Sequence, residues 1–262
     1  MQDPQSLLQL ATGIALEAGA LLAERQPQVR GYVGTKSSPT DMVTEVDTAS
    51  EALIVGLILQ ARPQDGILAE EGSAREGSSG VRWVIDPVDG TTNFLYGFPA
   101  YAVSIAVEEA GEAVAGVVYN AATRELFAAA KGRGATLNGK PIHVSGETDL
   151  GKALVATGFG YDPAVRKRQA ATLTRLIGDV RDIRRAGSAA LDLCSVACGR
   201  VDAYYEQGLN AWDHAAGALI VREAGGRTDF LGEPGFSKPC IVAAGPGVFE
   251  AFRERLLAAA GH

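Results

Sequence analysis

The stretch WVIDPVDGTTNF, residues 83–94, places two acids directly after an apolar run. The run at 83–85 predicts a buried strand, and Asp86 and Asp89 follow it. Two like charges beside an apolar core are unfavourable unless a positive group compensates them. Either acid alone is typical of a turn or a helix cap, but the segment as a whole favours a site that binds a cation.

The chemistry of this segment suits a hard divalent cation on one side and a phosphate on the other. Asp86, Asp89 and the main-chain carbonyl of Val88 offer the oxygen ligands that such cations prefer. Gly90 lets the backbone approach a ligand closely. Thr91 then opens a short predicted helix, whose free N–H groups and positive dipole end suit a phosphate.

Three further acids stand where a regular element begins or ends. Glu70, followed by a second glutamate, comes after the predicted strand Gly66–Ala69, Asp213 lies at the start of a predicted helix, and Asp47 lies early in the second helix. Each alone is typical of a surface acid or a cap. Together with Asp86 they indicate a carboxylate-rich site.

Helices and strands alternate along the chain, which indicates layered α/β packing. The spacing predicts helices over 4–25, Glu45–Ala61, 163–177, 188–199, 211–226 and 247–260, with Ser188 as a cap and Gly199 as a stop. It predicts strands over Gly66–Ala69, 81–85, 102–107, 113–119, Glu125–Ala130, 153–160, 182–185, 201–207 and 240–245. A polar stretch near 145–150 predicts two lobes, 1–147 with most of the acids and 148–262 with Asp213.

Composition limits the class of protein. The chain has 262 residues and a net charge of -7, which disfavours a nucleic-acid surface. Three cysteines do not form a disulfide framework and are typical of the cytoplasm, and three histidines are too few and badly placed for a histidine mechanism. The N-terminus predicts an amphipathic helix capped by Asp3, and we expect neither a signal peptide nor a membrane span.

The acidic segments resemble the motifs of a known family. DPVDGTTNF at 86–94, AEEGS at 69–73 and WDHAAGALIVREAGG at 212–226 look like the three motifs of the inositol monophosphatase family, and the segments 36–47 and 187–206 are also similar. These are magnesium-dependent, lithium-sensitive phosphatases of sugars and polyols. The resemblance spans nearly the whole chain. It implies a mixed α/β (α+β) fold, a layered αβαβα sandwich of the fructose-1,6-bisphosphatase type, and a homodimer with no role for a membrane.

The resemblance also implies roles for individual residues around two or three Mg²⁺ ions. A first ion, which holds the attacking water, would have as ligands Glu70, Asp86, the carbonyl of Val88 and Thr91. A second ion, at the leaving oxygen, would have Asp86, Asp89 and Asp213, and Glu70 could share a third through waters. Asp47 would orient the Thr91 hydroxyl. The phosphate would meet the N–H groups of Gly90 and Thr91, and the polyol would meet Gly187, Ser188, Ala189, Glu206 and Asp213.

The substrate stays open at this point. Myo-inositol monophosphate is favoured, because Glu206 could bind ring hydroxyls. Relatives also act on histidinol phosphate, fructose 1,6-bisphosphate or a 3′-phosphorylated adenine nucleotide, and some relatives bind RNA or the transcription machinery. Ala69 stands where the family usually has glycine, and Asn210-Ala211 precede the third motif where other residues are frequent. Both differences concern substrate choice and neither removes an implied ligand.

Overall fold

A computed structural model describes residues 2–29, 45–232 and 236–261 of the chain. The resemblance noted for residues 36–44 lies outside this described part. The helices are α1 Pro4–Val29, α2 Glu45–Ala61, α3 Thr91–Tyr96, α4 Pro163–Leu176, α5 Ala189–Ala197, α6 Ala211–Glu223 and α7 Phe249–Ala260. Short 3-10 helices lie at Leu150–Lys152 and Ile177–Asp179.

Thirteen strands of the described residues form two sheets. The first sheet has the order β2-β1-β3-β4-β5-β6-β7-β8, and the second has the order β10-β9-β11-β13-β12. The first comprises β1 Gly66–Ala69, β2 Ala74–Arg75, β3 Val81–Asp89, β4 Ala102–Glu109, β5 Glu112–Asn120, β6 Glu125–Ala130, β7 Ala135–Leu137 and β8 Lys140–Ile142. The second comprises β9 Leu154–Thr157, β10 Asp182–Arg184, β11 Ala203–Gln207, β12 Arg227–Leu231 and β13 Cys240–Ala244.

The helices and sheets stack in five layers, as predicted. Helices α1 and α2 cover the outer face of the first sheet, α5 and α6 lie between the sheets, and α4 and α7 cover the second sheet. Successive side chains of β3 pack in two different layers. Val84 points to the central helices, whereas Trp83 and Ile85 point to α1 and α2. The layered αβαβα fold is therefore confirmed. The division into lobes at 147/148 stays a prediction.

The strand that carries the acids is longer than predicted. The expectation that it ends at Ile85 is wrong, because β3 continues through Pro87 to Asp89. Asp86 pairs with Ser104 and Asp89 pairs with Ala102, so three steps on β3 match two on β4 and the strand bulges between the acids. A bulge tolerates the missing N–H of a proline. The acids thus lie on a strand and not in a turn after it.

Other boundaries differ in ways that depend on partners. Helix α1 runs to Val29 and not to residue 25, with Pro27 in its last turn. The strands β2, β7, β8 and β12 were not predicted, and each exists through pairing with a neighbour. Asp3 caps α1 as expected, because its carboxylate accepts a hydrogen bond from the Ser6 N–H at 3.1 Å.

Helix α1 is also long and apolar enough to cross a membrane when judged by length and composition alone, over Pro4–Pro27. One stripe of this helix, however, is buried against the first sheet and helix α2. The buried residues of this stripe are Leu7, Ala11, Ile14, Ala15, Ala18 and Leu22. Helical spacing of this kind is typical of a helix that packs on a protein core.

Candidate active site

The bulge of β3 orients the first two acids. Asp86 is 1% exposed, and its Oδ1 accepts a hydrogen bond from the Val88 N–H at 3.0 Å. Gly90 follows with φ at 89°, a conformation that favours glycine, and α3 starts at the next residue. The chain therefore turns sharply at Gly90, which leaves the Val88 carbonyl facing the Thr91 hydroxyl at 3.1 Å.

Parallel strand pairing brings Glu70 to Asp86. Ala69 of β1 is in register with Ile85 of β3, and the Glu70 N–H donates to the Ile85 carbonyl at 3.2 Å. Parallel strands end at the same edge of a sheet, so the residues that follow each strand become neighbours. The two carboxyl groups lie close enough that, after burial, the charge of Glu70 is the largest contribution to the raised pKa of Asp86.

Helix α2 contacts the same bulge from the outer layer. Asp47 is 2% exposed, and its Oδ1 lies 3.4 Å from the Thr91 hydroxyl, which donates to it. Ser50, one turn further along, donates its hydroxyl to the Pro87 carbonyl at 3.2 Å. Residues that are 44 positions apart in the sequence, Asp47 and Thr91, therefore meet through packing.

Asp89 is held by the start of helix α5. Its Oδ2 accepts hydrogen bonds from the Ser188 hydroxyl at 2.5 Å and from the Ala190 N–H at 2.8 Å. Burial raises the pKa of Asp89 to about 6, although these bonds favour the ionised form. Ser188 caps α5 as predicted, since its Oγ also accepts from the Leu191 N–H. Ser188 is buried, and its hydroxyl is engaged with Asp89. The substrate contacts implied for 187–189 stay a prediction.

Asp213 lies in the first turn of α6 and forms a capping box with Asn210. Its Oδ2 accepts a hydrogen bond from the Asn210 N–H at 2.6 Å. Burial raises the pKa of Asp213 to about 8, and the charges of Asp89, Glu70 and Glu206 add to this effect. Asp213 therefore caps α6 and also lies near the other acids of the site.

Glu206 lies on β11, beside the same group of acids. Its Oε2 accepts a hydrogen bond from the hydroxyl of Tyr204 at 2.8 Å. Burial raises the pKa of Glu206 to about 7, while the Tyr204 bond and the charge of Arg185 oppose the shift. Gly158 leaves room for the carboxylate, because a Cβ at this position would lie only 1.9 Å from Oε2.

The electrostatics of the site centre on Asp86. Burial raises the pKa of Asp86 well above its usual range, and the carboxylates of Glu70, Asp89 and Asp213 raise it further. Glu70 as a residue is exposed, but loss of water on the side that faces the other acids raises the pKa of its carboxyl group. Within 2–29, 45–232 and 236–261, no three acidic, histidine or cysteine side chains already converge into a set that could hold an ion. A bound cation would therefore have to draw these neighbouring carboxylates together.

Several residues near the site were missed by the sequence reasoning. Ser50 and Glu51 lie three and four residues after Asp47, a helical spacing that could have shown them on the same face. Asp192 is 3% exposed and its Oδ2 has no hydrogen-bond partner among the described residues. Tyr161 was also missed: loss of water around its hydroxyl raises its pKa, the charges of Asp89 and Glu70 add to this shift, and no local pattern indicated this.

The comparisons with known proteins agree with this arrangement. A model of the inositol monophosphatase family matches residues 3–260. The chain belongs to the inositol monophosphatase family. The match includes every segment that carries the acids described above, so family membership supports a phosphatase with a metal-dependent site.

Relatives within the inositol monophosphatase family carry more than one name. The chain is 46% identical over 266 residues to the inositol-1-monophosphatase of Mycobacterium bovis, and this alignment covers 94% of the chain and 91% of the relative. It is 43% identical over 252 residues to Nus factor SuhB of Escherichia coli strain K12, covering 94% and 93%. The solved structure of Mycobacterium tuberculosis SuhB matches with a TM-score of 0.87 at 42% identity, covering 100% of this chain and 99% of that one.

Proposed function

We propose that this chain is a magnesium-dependent phosphomonoesterase that hydrolyses myo-inositol monophosphate to inositol and phosphate. One observation carries the proposal. Asp86 is buried, and the carboxylates of Glu70, Asp89 and Asp213 add to the burial that raises its pKa well above the usual range. A cation bound among these carboxylates would compensate their charges and stabilise the ionised form of Asp86.

The donor chemistry fits Mg²⁺, which prefers carboxylate and carbonyl oxygens. We expect two or three ions, held by the side chains of Glu70, Asp86, Thr91, Asp89 and Asp213 and by the carbonyl of Val88. Bound magnesium would supply positive charge to the phosphate and would lower the pKa of a bound water. Phosphoryl transfer needs charge neutralisation and positioning more than covalent chemistry from the protein.

The protein's own groups position the reaction. The Thr91 hydroxyl lies within reach of both Asp47 and the Val88 carbonyl, so Asp47 can orient it and accept its proton. In this proposal the hydroxyl helps to activate the attacking water. The N–H groups of Gly90 and Thr91 receive the phosphate at the turn before α3.

Specificity for the polyol is proposed to come from the second sheet and its loops. Glu206 can accept hydrogen bonds from ring hydroxyls, and the backbone of 187–189 lies next to Asp89. Tyr204 holds the Glu206 carboxylate in one orientation. The charges of Asp89 and Glu206 both act on Asp213, and Asp213 would meet the leaving oxygen.

The test is phosphate release from a panel of small phosphates, with and without Mg²⁺. We expect turnover of myo-inositol monophosphate that needs Mg²⁺, is inhibited by lithium and is lost in Asp213→Asn. Asp149→Asn is the matched control, because Asp149 also accepts a backbone N–H, from Gly151 at 3.0 Å, but is exposed and belongs to no acidic group of the site. Turnover that persists without metal, or a near-normal kcat in Asp213→Asn, would contradict the proposal. Sedimentation of the same sample tests the expected homodimer.

A second substrate class is favoured by the acids around Glu206. After burial, the charge of Glu206 is the largest contribution to the raised pKa of Asp192, and Arg185 is an opposing charge near both acids. Such a pair could bind an ammonium group, as in histidinol phosphate. The panel therefore includes histidinol phosphate. A higher kcat/KM for histidinol phosphate than for the inositol ester would make it the preferred substrate.

A binding role is favoured by a relative's name. The Escherichia coli relative is called a Nus factor, and a comparable role for this chain would be binding to the transcription machinery. The net charge of -7 disfavours direct contact with RNA. Binding to purified transcription complexes, measured beside phosphate release on one preparation, distinguishes the two functions.

A further inference from the structure

One face of helix α2 connects the two acidic segments of the site. Its buried residues are Asp47, Ser50, Glu51, Ile54 and Ile58, which follow helical spacing and so share one side. The two isoleucines pack in the core cluster beneath the first sheet. The three polar residues form the first turns of this face and contact the loops that follow β1 and interrupt β3.

Glu51 makes the contact with the loop after β1. Its two carboxylate oxygens accept one hydrogen bond each, from the Glu71 N–H at 2.7 Å and the Ser73 N–H at 2.9 Å. Glu51 is only 3% exposed. The carboxylate thus holds the backbone on the far side of Glu70, while pairing with β3 holds the near side through the Glu70 N–H.

A neutral residue could not replace this contact fully. A glutamine offers one acceptor oxygen and would turn its NH₂ group toward the second N–H donor. Hydrogen bonds to a charged acceptor are also stronger than bonds to a neutral one. In addition, the charge of Glu51 acts on Glu70, so that a buried carboxylate that binds no substrate still adds to the negative potential of the site.

We propose that Glu51 is a positioning residue of the magnesium site, which fixes the backbone after Glu70 and adds negative charge without being a ligand. The inference rests on the proposed function of Glu70 above. Because Ser50 on the same helix holds the Pro87 carbonyl, α2 sets the spacing between the Glu70 loop and the bulge that carries Asp86. A rigid helix keeps this spacing better than either loop alone.

The test compares Glu51→Gln with Glu223→Gln in the full chain. Glu223 is the matched control, because its carboxylate also holds a loop, accepting from the N–H groups of Gly132, Arg133 and Gly134. It lies ten residues after Asp213 on α6, about 15 Å along the helix axis. Two readouts are measured: the Mg²⁺ concentration at half-maximal phosphate release, and the rise in Tm with Mg²⁺ alone and no substrate.

We expect Glu51→Gln to raise both Mg²⁺ midpoints about tenfold, the order of one charge-assisted hydrogen bond. At saturating Mg²⁺, kcat should recover to within about twofold and KM should stay unchanged, because the ligands themselves remain. Glu223→Gln should change Tm without moving either midpoint. A purely structural Glu51 would lower Tm in the same way and leave the Mg²⁺ midpoints at the wild-type value, which would overturn the inference.

Glu51→Asp keeps the test decisive if Glu51→Gln does not fold. The aspartate keeps the charge but is one methylene shorter, so it cannot reach both N–H groups from the same helix position. We expect a severalfold rise in the Mg²⁺ midpoint, and an unchanged midpoint overturns the inference. If the wild type shows a Mg²⁺-dependent Tm but hydrolyses no phosphate ester, the proposed function fails while the Tm midpoints still decide the role of Glu51.

Discussion

Asp86 and Glu206 show how the same functional group, a carboxyl, acquires different chemistry from its surroundings. Asp86 is buried among three acids, and these together with burial raise its pKa well above the usual range. Glu206 has a tyrosine hydroxyl as a donor and the charge of Arg185 nearby, and its pKa is raised only to about 7. A bound cation would therefore stabilise the ionised form of Asp86, whereas Glu206 can exchange between a donor and an acceptor near neutral pH.

Substitution of Glu206 by glutamine tests whether its carboxylate accepts hydrogen bonds from the ring hydroxyls of the substrate. We expect kcat/KM for myo-inositol monophosphate to fall about tenfold, because a charged acceptor becomes a neutral one. Hydrolysis of a simple phosphate ester without ring hydroxyls should be nearly unchanged. In the wild type, the preference for the inositol ester should rise as pH passes about 7, the pKa of Glu206, and the variant should lack this rise.

The comparison of two substrates separates recognition from folding. A folding defect lowers the rate for both esters equally, and such a result would make Glu206 structural. Gly158→Ala is a second route to the same loss, since its Cβ would displace the Glu206 carboxylate.

At the scale of elements, the site is assembled where several elements end or begin. The ends of β1 and β3 meet because the strands are parallel neighbours, and the starts of α5 and α6 supply Ser188 and Asp213. Helix starts carry free N–H groups, which stabilise carboxylates there. In this fold, α5 uses its first N–H groups on Asp89, so the helix and the acid stabilise each other.

Substitution of Ser188 by alanine tests this link between α5 and Asp89. The variant loses the hydroxyl that donates to Asp89 and caps α5, and it should be less stable by about 1 kcal/mol. The Mg²⁺ concentration for half-maximal activity should rise severalfold, because Asp89 loses one of the hydrogen bonds that fix the orientation of its carboxylate. Denaturant unfolding and a Mg²⁺ titration of activity measure the two effects.

Ser195→Ala on the same helix is the control for Ser188→Ala. Its hydroxyl donates to the Leu191 carbonyl at 2.8 Å and contacts no acid of the site. Equal Mg²⁺ requirements in both variants would show that Ser188 acts only as a cap.

For the whole molecule, the group of acids makes stability depend on pH and metal together. Burial raises the pKa of Asp213 to about 8 and that of Glu206 to about 7 in the metal-free protein. The folded state then binds more protons than the unfolded state, so stability falls as pH rises through these values. The opposite effect of His214, whose pKa is lowered to about 4, ends near pH 6.5, the ordinary value for histidine.

We therefore expect the metal-free protein to lose stability between about pH 6.5 and 8, and Mg²⁺ to restore it. The stabilisation by Mg²⁺ should grow with pH, since cations and protons compete for the same carboxylates. Thermal unfolding with chelator and with Mg²⁺, at several pH values, measures both effects. Asp213→Asn should flatten the chelator curve, and an equally steep curve in that variant would assign the loss to other groups.

The sequence by itself determined the local chemistry and the order of elements. The motifs around Asp86 and Asp213, the caps at Asp3 and Ser188 and most helices could be predicted, because they depend on neighbours within a few residues. Only the tertiary structure decided which acids meet. The parallel register of β1 with β3, the bulge that β4 imposes on β3 and the contact of Asp89 with Ser188, 99 residues away, come from pairing and packing. Contacts of this kind leave no periodic signal in the sequence, whereas the helical spacing of Ser50 and Glu51 from Asp47 was available in it.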